Sequence, residues 1–226
     1  MNLFSWHPAW IAVVILVSFL YLRKEGTSPT KKTYFLSGLI LFYAAVGTPF
    51  NSIAIHGLFT AYMIQLSILY FVVPPLLICG IPAEWMRPAL RKGGLKKAFQ
   101  ILTYPWLTAI TFNVGFSVFL FPFIFNGLHA HLVVLGICEG LLFLSALTMW
   151  WSILSPLPEL NPLSQLKRIF YIFVTAIMLT PIAFLLLFAN HVLYPAYANT
   201  PAAFPYLNAI YDQQIAGGVM KGFQLT

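Results

Sequence analysis

Residues 56–88, HGLFTAYMIQLSILYFVVPPLLICGIPAEWMRP, decide how the chain is read. From Leu58 to Cys79 they form an uncharged run of 22 residues, with Gln65 and Ser67 as polar members. At a rise of 1.5 Å per residue this is a helix of roughly 33 Å, enough to cross a bilayer. Pro74-Pro75 removes two backbone donors late in that helix. Inside lipid such a loss is tolerated only where neighbouring helices or side chains satisfy the freed carbonyls. The stretch therefore predicts a kinked helix packed within a bundle.

Working outward, further apolar runs occur at Pro8–Leu22, Tyr34–Thr48, Ile101–Phe125, Leu132–Leu154 and Ile169–Ala189. Together with the organising helix they predict six full transmembrane helices. An incomplete or re-entrant seventh runs from Gln213 to Thr226, and 14 residues span only about 21 Å. Hydrophobic residues make up 60% of the chain, charged ones 8%, and mean hydropathy is +0.86. No soluble domain of this length needs so much apolar surface. The expected fold class is an all-α integral membrane protein, one polytopic domain over residues 1–226. The segment 1–7 has no basic residue and no small-x-small cleavage site follows Leu22, so the first run is expected to persist as a helix.

The net charge of +7 raises a nucleic-acid reading, which the distribution excludes. Eleven of the twelve basic residues fall in three loops: Arg23–Lys32, Arg87–Lys97 and Lys167-Arg168. By the positive-inside rule these loops face the cytoplasm and the N-terminus lies outside, in a multi-pass protein of the cell membrane. The Arg87–Lys97 cluster by itself implies a weak attraction to anionic lipid. Residues 50–55 read as a short outer loop, and 83–90 as a short interfacial helix before a Gly93-Gly94 break. Cys79 and Cys138 are separated by roughly 20 Å of helix depth, which rules out a disulfide and leaves two small buried apolar residues.

All five histidines, His7, His56, His129, His131 and His191, fall on the expected outer side. Amphipathic rings at headgroup depth explain this, and so does a metal role, histidine being the commonest metal ligand. His129 and His131 could reach one ion from an extended loop. His56 and Met63 share a helix face, and imidazole with thioether suits Cu(I). They lie two turns apart, about 10 Å, too far for one ion on a regular helix. They read as successive stations, or as separate sites completed by His131 and His191. A methionine on a helix face is more often a packing residue than a ligand, and Met63 reads first as packing.

Gln65 and Glu139 lie at similar expected depth. Glu139 is the one acidic residue inside a full span, and an intramembrane carboxylate is a functional candidate. The structural alternative is a protonated Glu139 hydrogen-bonded to Gln65 or to backbone. Asp212, in Asp212-Gln213-Gln214, suits an N-cap of the last run. CxxC, HExxH and phosphate-loop motifs are absent.

Several stretches carry a resemblance: Phe59–Gln65, FTAYMIQ; Val73–Pro82, VPPLLICGIP; Met149-Trp150-Trp151 with Pro156 and Pro158; Asn190-His191 with Leu193-Tyr194; and Asp212-Gln213-Gln214 through Gly218 to Met220-Lys221. Over nearly its whole length the chain resembles the Bacillus-type CtaG family of caa(3)-type cytochrome c oxidase assembly factors. The resemblance implies a seven-helix, non-enzymatic membrane protein that partners oxidase subunits and helps copper reach them. His56, Met63, Gln65, Asp212, Gln213 and Gln214 are the positions it carries over. Many relatives have His where this chain has Tyr62 and Leu66, and His-x-x-x-His where it has Gly136 and Gly140. Two rival readings are a small transporter using the Glu139/Gln65 pair, and a structural accessory subunit without a ligand. No inverted repeat supports the transporter.

Overall fold

The computed structural model describes residues 6–88, 90, 93–160, 163–198 and 207–225. Those residues are helical, with no strand among them. Arg91 and Lys92 of the basic loop, the first five residues and positions 199–206 of the loop before the last helix lie outside the described residues.

The organising stretch is one continuous helix, Phe59–Gly80, of 22 residues. It consists of α4 (Phe59–Ser67), a π-helical turn (Ile68–Val72) and α5 (Val73–Gly80), with the two prolines in the first turn of α5. The π turn shows how the prolines are accommodated. Pro74 has no N–H for the Tyr70 carbonyl four residues earlier. The backbone widens there, the Val73 N–H donating to the Ile68 carbonyl five residues back. The freed Tyr70 carbonyl accepts the indole N–H of Trp150 at 2.8 Å. The expected external partner is thus a tryptophan on the fifth apolar run.

Around this helix lie α1 (Pro8–Leu22), α2 (Pro29–Val46), α3 (Pro49–His56), a four-residue α6 (Ala83–Met86), α7 (Gly93–Leu102), α8 (Pro105–Leu120) and α9 (Pro122–His129). The long α10 (Leu132–Leu154), then α11 (Gln165–Met178), α12 (Thr180–Leu187) and α13 (Ala209–Leu225) complete the chain. Three helices are long and apolar enough to cross a membrane: Phe59–Gly80, Leu132–Leu154 and the α11–α12 unit. The pairs α2–α3 and α7–α8 are bent by 50° and 49°, and counting each as one span gives five. α1, at 15 residues, is apolar but shorter.

Prolines make these breaks. Pro49, Pro105, Pro122 and Pro181 each stand in the first turn of a new helix, where a missing N–H costs no intrahelical bond. Residues 50–55 are consequently part of a helix, not the expected loop. Thr48 caps it, its Oγ1 accepting the Phe50 N–H at 3.3 Å. Gly93 and Gly94 open α7 where a break was expected, and the interfacial helix at 83–90 shortens to α6.

Packing is close where small residues allow it. A Cβ on Gly80 would lie 2.6 Å from Phe35 Cβ, so α5 meets α2 backbone to backbone, and the Gly80 carbonyl accepts the Tyr21 hydroxyl at 2.7 Å. Toward the basic end, Thr108 Oγ1 lies 3.2 Å from Ser152 Oγ and 3.1 Å from the Tyr171 hydroxyl, joining α8, α10 and α11. The outward faces of α1, α8, α10 and α11 expose large apolar side chains such as Leu16, Ile110, Val133 and Phe173, the surface a hydrocarbon solvent demands.

Candidate functional site

The carboxyl of Glu139, on α10, sits where three helices meet. Its Oε1 accepts the Tyr62 hydroxyl at 2.5 Å, and its backbone carbonyl accepts the Tyr70 hydroxyl at 3.2 Å. Both tyrosines belong to the organising helix and are fully buried. Glu139 itself is half-buried and borders a cavity of about 350 Å³, lined also by Trp10, Phe42, Asn51, Gly136 and Gly140. A Cβ at Gly136 or Gly140 would meet nothing within 4 Å, so the two glycines leave this room open. Tyr62, Gly136 and Gly140 therefore adjoin Glu139.

Gln65 is not the partner of Glu139. It is buried, and its Nε2 donates to the Ala45 carbonyl at 2.9 Å and to Asn51 Oδ1 at 2.7 Å. Asn51 is the link: it holds Gln65 and lines the Glu139 cavity. Gln65 Oε1 is buried without a hydrogen-bond partner among the described residues. Such an atom is costly in a dry interior. Sequence reasoning missed Tyr62 and Asn51, since neither spacing nor composition distinguishes them from packing residues.

Asp212-Gln213-Gln214 is a set of tethers. The capping role expected for Asp212 on its own helix belongs to Asn208, whose Oδ1 accepts the N–H groups of Ile210 and Tyr211 at 2.7 and 3.1 Å. Asp212 lies one turn inside α13 and caps a different helix. Its Oδ2 accepts the Phe59 N–H at 2.7 Å and its Oδ1 the Thr60 N–H at 2.9 Å, while the Thr60 hydroxyl donates to its carbonyl at 2.8 Å. A buried carboxylate thus sits on the N-terminus of the organising helix, where the orphan donors and the helix dipole favour negative charge. Gln213 Oε1 accepts from the N–H groups of Leu193 and Tyr194, its Nε2 donates to the His191 carbonyl, and Gln214 Nε2 donates to the Ala189 carbonyl. Lys221 Nζ donates to the Ala176 carbonyl at 3.2 Å and to Thr180 Oγ1 at 2.7 Å, at the α11–α12 break.

The histidines gather at one end of the bundle. His7 N–H bonds the Gly47 carbonyl, and His129 Nε2 bonds the Ile55 carbonyl at 2.9 Å, capping the C-terminus of α3. His56 is the last residue of α3. His131 and His191 are exposed, and His131 stands at the N-terminus of α10. Met63 is fully buried in the central core. Among the described residues no group of three or more His, Cys, Asp or Glu side chains is placed to hold a metal ion. Below this end the rings of Phe59, Tyr62, Phe125, Tyr194 and Tyr197 pack on one another, and His129 closes the cluster against Tyr197 at 5.5 Å.

These features define a helical membrane bundle that holds a carboxyl group beside an open cavity. The chain belongs to the cytochrome c oxidase caa3 assembly factor family, Caa3_CtaG, whose sequence profile it matches over residues 12–226. No curated protein and no solved structure matches it.

Proposed function

We propose that this chain is a non-enzymatic assembly factor for a caa(3)-type cytochrome c oxidase, acting from within the cell membrane. The two bent pairs, the three long helices and α1 make six crossings in this reading. The N-terminus and the histidine end face outside, and α13 packs back into the bundle. The observation that supports it best is Glu139, a carboxyl held by Tyr62 at the edge of a cavity. Burying such a group is expensive, and unlike Asp212, whose two oxygens are both taken up by backbone N–H groups, Glu139 accepts a single hydroxyl and borders the cavity. The cavity is where the chain engages its oxidase cargo. Glu139→Gln is isosteric and keeps an acceptor for Tyr62. The variant should accumulate to normal levels while active oxidase is lost, because an intramembrane carboxyl is held there for function. Normal oxidase activity in a strain carrying it would remove Glu139 from the site.

Copper is the cargo proposed at the histidine end. The placement of His56 and His129 at the ends of α3 and α9 and of His131 at the start of α10 supports this reading over a ligand-free accessory subunit. His56 would hold Cu(I) with His131 or His191, and Met63 would join only by turning out of the core. Two- or three-ligand sites suit a carrier that must release its ion. The purified protein should bind Cu(I) in preference to Zn(II). His56→Ala should lower both copper binding and the copper content of the oxidase without lowering abundance of the chain. Unchanged oxidase copper in that strain would leave the scaffold role alone.

A further inference from the structure

The basic end of the bundle carries two adjoining grooves that share Tyr104. One, of about 340 Å³, lies at the bend between α7 and α8 and is lined by Lys97, Gln100, Ile101, Tyr104 and Leu107. The other, of about 380 Å³, lies between the first turns of α8 and α11 and is lined by Tyr104, Trp106, Lys167 and Phe170, among others. Among the described residues no acidic side chain borders either groove.

The surroundings select the occupant. α7 buries none of its residues and exposes Leu95, Ile101 and Leu102 alongside Lys96 and Lys97. Turned 49° from α8, it is an amphipathic helix that leaves the direction of the span. Trp106 stands edge-on to Phe170 at 6.2 Å, forming an apolar wall beneath the lysines. The ion pair among the described residues, Arg87–Glu159 at 3.0 Å, uses neither Lys97 nor Lys167. The Tyr104 hydroxyl is exposed and makes no hydrogen bond among the described residues. Free ammonium groups above an aromatic, lipid-facing trough complement a negative headgroup with acyl chains below it.

We propose that the two grooves form one site for an anionic phospholipid. Lys97 and Lys167 hold the phosphate, the Tyr104 hydroxyl donates to it, and the acyl chains lie along Trp106, Phe170 and Leu107. Occupancy braces the α7–α8 bend against α11. The inference rests on the chain lying in a bilayer, and not on its role toward the oxidase.

Native mass spectrometry of the full chain in a mild detergent tests it. The protein is titrated with phosphatidylglycerol and with phosphatidylcholine of the same acyl chains. Phosphatidylglycerol should bind about thirtyfold more tightly, the order expected for two lysines at a membrane surface. The double variant Lys97→Gln/Lys167→Gln should erase that preference, whereas Lys31→Gln/Lys32→Gln, on the same end of the bundle, should keep it. Lys97 and Lys167 are exposed, Lys31 and Lys32 are half-exposed, and none of the four joins the ion pair among the described residues, so neither double variant removes a buried contact of charge. Equal binding of the two lipids overturns the site, as does equal loss of preference in both double variants, which would mean diffuse attraction. Displacement of phosphatidylglycerol by equimolar glycerol phosphate would show a soluble phosphate site and overturn the lipid assignment.

Discussion

At the residue scale the chain is held by polar side chains that finish other helices' backbone bonds. Asp212 is the clearest. Replacing it with Ala leaves the Phe59 and Thr60 N–H groups without their acceptor, the first of them in a fully buried residue. Each unsatisfied buried donor costs about 1–3 kcal/mol. Asp212→Ala should therefore lower the thermal unfolding midpoint of the purified protein by several degrees. Asp212→Asn, which keeps one acceptor, should lower it less, and equal midpoints for the two variants would contradict the capping role. Trp150 makes a parallel case. Trp150→Phe keeps an aromatic ring, though a smaller one, and removes the donor to the Tyr70 carbonyl, the group left open by Pro74. It should destabilise by about 1–3 kcal/mol, read by the same measurement.

At the element scale the last helix is set by one glycine. A Cβ on Gly217 would fall 2.8 Å from the Leu187 backbone nitrogen and 2.9 Å from Leu186 Cβ, whereas one on Gly218 would meet nothing within 4 Å. Backbone cannot yield as a flexible side chain can. Gly217→Ala should push α13 off α12 at a cost of about 1–3 kcal/mol, the usual range for overpacking. Gly218→Ala should be neutral or slightly stabilising, since Ala is the better helix former. Limited proteolysis of the segment before α13 checks both: faster cleavage for the first variant, unchanged for the second.

At the scale of the whole molecule the two ends differ in kind. Lysines and arginines gather at one end and histidines with packed aromatic rings at the other, so orientation is a single question with a single test. In a background without Cys79 and Cys138, cysteines placed singly at Lys96 and Ala130 should react oppositely with an impermeant thiol reagent on intact cells. Labelling at Ala130 alone agrees with the histidine end outside. Labelling at Lys96 reverses the orientation and removes the argument for copper entering at the histidines.

The sequence by itself determined the features that depend on composition and chain-local physics. Long uncharged runs specify helices for lipid, and the bounds expected at Pro8–Leu22 and Leu132–Leu154 are those of α1 and α10. Pro74-Pro75 demanded an outside hydrogen-bond donor, and short motifs pointed to the family. The tertiary structure decided everything that requires two distant segments to meet. Trp150 supplies that donor from 80 positions away, and Asp212 caps a helix that begins 153 positions before it. Tyr62, not Gln65, holds Glu139. The reason is physical: a buried polar group takes whichever partner packing brings within reach. In an interior without water that choice is made by the crossing of helices, which no local pattern along the chain encodes.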